Sequence, residues 1–197
     1  MVSAAEKPIL HCADADEWRR WLAAHADSSD GIRLAIAKKG GDHSSVSYAE
    51  AIDEALCVGW IDGQRGALDE HHFLQGFGPR RARSIWSRVN RDKVTALIES
   101  GRMQPSGLAE IERARADGRW DAAYAGSKTI EVPAELRAAL DAEPAAAAFF
   151  ETLNSQNRYA ILFRLHNVKK TETRTRNVEK FVAMLARGET IYPQRSR

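Results

Sequence analysis

Pro79 separates two regimes of hydrophobic periodicity. Before it, apolar residues alternate between helical and strand spacing; after it, only helical spacing recurs. A chain that stops making strands this early can build only a small sheet. Residues 8–12 (PILHC) read as a short strand. Asp14 or Asp16 caps a helix with Trp18, Trp21, Leu22 and His25 on one face. Residues 32–37 (IRLAIA) alternate as a second strand ending at Lys38-Lys39-Gly40-Gly41. Ser47 and Glu50 form a capping box for a helix that carries Tyr48, Ile52, Ala55 and Leu56 and stops at Gly59. Residues 58–64 and 72–77 read as two strands joined by a turn around Gly66 and Asp69. The order β-α-β-α-β-β implies an α+β fold. Its sheet is small and mostly antiparallel, of about four strands, with two helices on one face.

The remainder reads as helices. Asn90, Pro105, Pro133, Pro144, Ser155 and Thr171 open them, and Gly101, Gly118 and Gly188 close three of them. We expect an α+β half over residues 1–88, a helical half over 89–190 packed on it through one core, and a loose tail over 191–197. The shared core is expected because the aromatic helices after residue 143 need a cover.

Several function classes are excluded. Two cysteines, Cys12 and Cys57, without a CxxC, give neither a disulfide framework nor a four-cysteine zinc site. No apolar run approaches the ~18 residues of a membrane span. The first residues carry Glu6 and Lys7 and no apolar core, so no secretory signal and a cytoplasmic location are expected. P-loop, GxGxxG, HExxH and GxSxG motifs are absent. His71 and His72, as strand neighbours, point to opposite faces and share no metal easily. Cys57 sits near a helix C-terminus, where the dipole disfavours a thiolate. No metal and no cofactor are expected.

Charge is unevenly spread. Residues 80–102 hold seven basic side chains against two acidic, and residues 164–187 the same. Two such patches suit an anionic partner, or are solvated helix faces paired with acidic residues elsewhere.

Two segments are denser in unusual residues than packing requires. In 57–64 (CVGWIDGQ), alternation puts Trp60, Asp62 and Gln64 on one face and Ile61 on the other. With Ile61 facing the core, the trio lines a pocket for a flat or polar guest, or is a surface strand on which Trp60 is covered. In 79–90 (PRRARSIWSRVN), Arg80 and Arg81 supply anion-binding groups, Trp86 stacking, and Ser84 a donor. Ser87 or Asn90 reads best as a helix cap. The same connector also suits a linker fixed by arginine–carboxylate pairs.

At these residues a family resemblance emerges. The strings S-Y-x-E-A-I-D-E-A-L-C-x-G-W-I-D-G-Q (47–64), L-D-E (68–70), P-R-R-x-R-S-x-W-S-x-x-N (79–90), L-I-x-x-G-x-M-x-P-x-G-L (97–108), A-x-x-D-G-R-W-D-x-A-Y (114–124) and K-x-T-E-T-R-x-R (169–176) resemble the YdeI/OmpD-associated family of bacteriocin-protection proteins. The resemblance implies a role in resistance to bacteriocins or antimicrobial peptides, a stress-resistance function. It brings no established reaction and no catalytic residues.

Three readings follow. The first is a cytoplasmic protection protein that binds a small anionic or aromatic ligand in a cleft between the halves, through Trp60, Asp62, Gln64, Arg80, Arg81, Ser84 and Trp86. The second is an enzyme in that cleft, with Asp62 as base, partnered by His71, His72 or Cys57. The third is a nucleic-acid binder using both basic patches. The first is favoured, because no nucleophile–base pair and no known nucleic-acid module is present.

Overall fold

A computed structural model describes residues 7–40 and 43–194. Glu6, Gly41 and residues 195–197, on which parts of the leader, turn and tail expectations rest, lie outside these. The elements run β1 (Ile9–His11), α1 (Ala15–His25), β2 (Ile32–Ala37), α2 (Tyr48–Cys57), β3 (Trp60–Ala67), β4 (His72–Pro79), α3 (Arg88–Glu99), α4 (Pro105–Ala116), α5 (Ala134–Asp141), α6 (Pro144–Glu151), α7 (Ser155–His166) and α8 (Thr171–Ala186). The fold is α+β. Its four strands are ordered β1-β2-β4-β3. β1 lies parallel to β2, and the other two pairings are antiparallel.

Local chemistry sets the helix starts. Asp14 caps α1 by accepting from the Glu17 N–H. Ser47 and Glu50 close the full capping box of α2. Ser87, rather than Asn90, caps α3, its hydroxyl accepting from Asn90 N–H at 3.1 Å. Asn154, not Ser155, caps α7, and Lys170, not Thr171, stands at the α8 cap position with no side-chain bond. The two differ for one reason. Asn154 bends back to the Asn157 N–H at 2.9 Å, whereas lysine has no acceptor to offer.

The β3–β4 hairpin differs from expectation at its turn. Gly66 lies inside β3, paired with Leu74, and a side chain there would strike the Arg33 guanidinium. The turn is built on Asp69, which accepts from the N–H groups of His71 at 2.7 Å and His72 at 2.6 Å. These bonds hold its carboxyl below the ordinary range. A β-bulge separates Asp62 from Arg65.

The chain divides into two compact units, one ending at Ala123 and the other beginning at Tyr124. The buried apolar residues correspondingly form two clusters, not the single core expected. In the first, Trp18, Leu22, Ile32, Leu34, Ile52, Leu56, Trp60 and Phe77 pack with Val94 and Leu97 of α3 and Ile111 of α4. α3 and α4 therefore belong with the sheet. Trp86 and Trp120 complete this core, and Trp21 packs against it. In the second, Leu136, Phe150, Ile161, Leu162, Leu165, Phe181 and Leu185 cover one another. The aromatic helices after residue 143 thus find their cover inside their own unit. Residues 191–194 are tied down: fully buried Asn157 accepts from Tyr192 N–H at 2.9 Å and donates to its carbonyl at 3.0 Å.

The α2–α4 junction is a close backbone approach. Gln104 N–H donates to the Cys57 carbonyl at 3.0 Å, and a Cβ on Gly107 would overlap that same oxygen. Gly107→Ala should therefore cost about 1–3 kcal/mol in urea denaturation, while Ser106→Ala, one residue earlier and exposed, should change stability by under about 0.5 kcal/mol.

Candidate functional site

Strand alternation groups Trp60 with Asp62, but on the core-facing side of the sheet. Asp62 pairs with Phe77, and Phe77 with Ile32, so these share one face, the one α1 and α2 cover. Trp60 is 1% exposed and donates its indole N–H to the Ala26 carbonyl at 3.2 Å. It meets Trp18 and Trp21 edge-on, at centroid distances of 6.4 and 5.9 Å. The expectation that Ile61 faces the core and Trp60 a guest is corrected: Trp60 is a core residue, and Ile61 is half-buried beside it. Asp62 is half-buried and accepts from the Tyr48 hydroxyl at 2.8 Å. Gln64 is exposed at the bulge.

The arginine connector is likewise inward-looking. Arg80 is 6% exposed. Its guanidinium lies 3.7 Å over the Trp86 ring and donates to the Ile85 carbonyl at 3.2 Å. Trp86 is buried and meets Trp120 edge-on. Ser84 accepts from Arg81 N–H at 3.0 Å, and its carbonyl accepts from Arg119 at 2.9 Å. Arg81, Arg83 and Arg88 are exposed and make no ion pair among the described residues. The connector thus carries a buried cation–π stack that fastens the end of β4 to the start of α3. Arg80→Ala should lower unfolding free energy by about 2 kcal/mol, the scale of a desolvated cation–π contact, and Arg81→Ala by under about 0.5 kcal/mol. Chemical denaturation of the two variants checks this asymmetry.

The candidate partners of Asp62 go elsewhere. His72 Nδ1 lies 3.2 Å from Asp69. The His71 and His72 rings both lie near His43, at 4.2 and 5.4 Å between centroids, yet no group of three or more His, Cys, Asp or Glu among the described residues is arranged to hold a metal ion. Cys57 lies in the core, and burial pushes its thiol up to about 11, so it stays protonated at neutral pH.

A pocket of about 700 Å³ lies where α1, the end of α2 and the start of α4 meet. None of the seven ligand-binding residues read from the sequence lines it. Its apolar lining includes Leu22, Ala23, Ala26, Val58 and Pro105, and its polar lining includes Arg19, Asp27, Glu54, Arg102 and Gln104. Glu54 is 3% exposed. Arg19 grips it bidentately, Nε at 2.9 Å and Nη2 at 2.7 Å, and Arg102 donates to the same carboxylate at 2.5 Å. Arg19 also holds Asp16 at 2.8 Å. Arg19 and Arg102 are matched in number by Glu54 and Asp27, so the formal charge of the lining is balanced. The sequence held one signal for Glu54. It falls at helical spacing between Ala51 and Val58, inside an otherwise apolar face. Arg19 and Arg102 carry no such signal.

Arg19→Met or Arg102→Met alone leaves Glu54 one cationic partner. The double variant leaves a buried carboxylate with none, so its cost should exceed the sum of the singles and reach about 3 kcal/mol. A double-mutant cycle measured by urea denaturation checks this non-additivity.

No helix among the described residues is long and apolar enough to cross a membrane. No curated protein and no solved structure matches the chain significantly. Residues 10–110 match the domain of unknown function DUF8412, and residues 129–188 match the bacteriocin-protection, YdeI or OmpD-associated family. The strings at 47–64, 68–70, 79–90 and 97–108 fall in the first match, that at 169–176 in the second, and that at 114–124 in neither. The chain belongs to the DUF8412 family through its sheet-containing part and carries a bacteriocin-protection, YdeI or OmpD-associated segment after it.

Proposed function

We propose that the protein is a cytoplasmic ligand-binding protein with a protection-like role, and that the α1–α2–α4 pocket holds the ligand. The bacteriocin-protection match supports the protection-like part. The observation that carries the binding part is Glu54, a buried carboxylate clamped by two arginines in the lining of a largely apolar pocket. Burying an ion costs several kcal/mol before pairing repays it, and a leucine on that helix face would pack without this penalty. The volume lies within the range of small-molecule sites, as does the ratio of apolar wall to few polar groups. Because the lining charges balance, the pocket suits an aromatic or apolar body with a neutral or singly anionic head. Gln104 and Arg102 are the groups placed to orient it.

Binding is favoured over catalysis by one observation. Cys57, the thiol in the lining, is held protonated by burial, and Asp62 lines another part of the fold.

The test uses 8-anilinonaphthalene-1-sulfonate, an apolar aromatic with one anionic head, titrated into the full-length protein. Ala23 is exposed and lines the pocket, so Ala23→Trp fills it without disturbing the core. The parent should bind the probe, and Ala23→Trp should weaken binding by at least about tenfold, or 1.4 kcal/mol, with helical circular dichroism and thermal midpoint unchanged. Equal binding by the folded Ala23→Trp variant would remove the pocket from consideration.

A further inference from the structure

The helical unit carries a second concavity, independent of the pocket above. A groove of about 540 Å³ runs between α7 and α8, floored by Phe163, Val168, Phe181 and Met184 and rimmed by Arg164 and Lys180. No carboxylate lines it. All six of these residues fall within the bacteriocin-protection match.

The charged residues that line the groove, Arg164 and Lys180, are both basic, and the sequence leading into and along α8 is rich in further basic residues. Lys169 and Lys170 lead into α8, and Arg174, Arg176 and Lys180 follow along it, against Glu172 and Glu179 alone on that helix. Arg174 is engaged by Glu135, whereas Lys169, Lys170, Arg176 and Lys180 make no ion pair among the described residues. Lys170 stands at the cap position, and two lysines at the positive end of a helix dipole are electrostatically unfavourable. An acidic partner would relieve that repulsion. Phosphates alone would leave the apolar floor unused. The floor, with an adaptable methionine in it, asks for apolar side chains at the spacing of a helix face.

We propose that the α7–α8 groove docks an acidic amphipathic helix of a partner protein. Its apolar side chains would enter the floor, and its carboxylates would meet Arg164 and Lys180. A cationic peptide would be repelled by this face, so protection through it does not consist in sequestering one there.

The experiment measures fluorescence anisotropy of a short labelled peptide with leucines at i, i+3, i+4 and i+7 and glutamates between them. The titrant is the full-length protein at about 0.15 M salt. Three comparison probes are the same composition scrambled, the same pattern with lysine for glutamate, and a labelled single-stranded oligothymidine. The patterned acidic peptide should bind at least about tenfold more tightly than each of the others. Lys180→Glu, an exposed change, should weaken it by a similar factor, and Ala23→Trp should leave it unchanged. A scrambled peptide that binds equally well would reduce the groove to diffuse charge and overturn the proposal. Tighter binding of the oligothymidine, lost in Lys180→Glu, would make the face a nucleic-acid surface instead. Retention of peptide affinity in Lys180→Glu would show that the peptide binds elsewhere.

Discussion

The Cys57 carbonyl ends one helix and receives another. It accepts the Gln104 N–H at 3.0 Å, and α4 comes near enough only because residue 107 has no side chain. That approach has two consequences in the first unit. It places Arg102 against Glu54, giving a buried carboxylate the second cation it needs. It also leaves the wall of α1 facing the start of α4 across a gap, which is the pocket. A helix start, an ion cluster and a cavity thus share one backbone contact. Gly59 belongs to the same junction, since a Cβ there would meet the Ser106 carbonyl at 3.2 Å, and its φ of +80° turns the chain sharply from α2 into β3.

The other organising device is the set of inward-facing tryptophans. Trp18 donates to the Ala51 carbonyl at 3.1 Å and Trp60 to the Ala26 carbonyl at 3.2 Å. Each indole therefore contributes apolar area and also ties together two segments far apart in sequence. Trp86 does this through its contact with Trp120, while its ring face carries the nearby Arg80. The sheet, its covering helices and the connector to α3 are joined by these few side chains.

The fold was legible in the sequence to the extent that periodicity and capping control it. The succession of strands and helices along the chain, the Ser47–Glu50 box and the Pro105 helix start follow from local chemistry alone. What was not legible depended on which face of a strand is covered. Alternation correctly grouped Trp60 with Asp62, but alternation is symmetric, and only the helices above the sheet decide which side is inside. The same gap explains the candidate site. Arg80 and Trp86 look like ligand groups in a list of residues, and burial turns them on each other. Glu54 could have been suspected from its helical position, but its partners Arg19 and Arg102 are 35 and 48 residues away in the chain. No local pattern links such distant residues.

The two separate cores have a spectroscopic consequence. All five tryptophans, at positions 18, 21, 60, 86 and 120, precede Tyr124, and the second core is lined by aliphatic side chains and phenylalanine. Indole emission therefore reports on the sheet-containing unit and is nearly blind to loss of the second core. Far-ultraviolet dichroism, dominated by helices, sees both. Whether the units melt as one body or in sequence is thus written in the protein's own chromophores, as the agreement or disagreement of two signals from one sample.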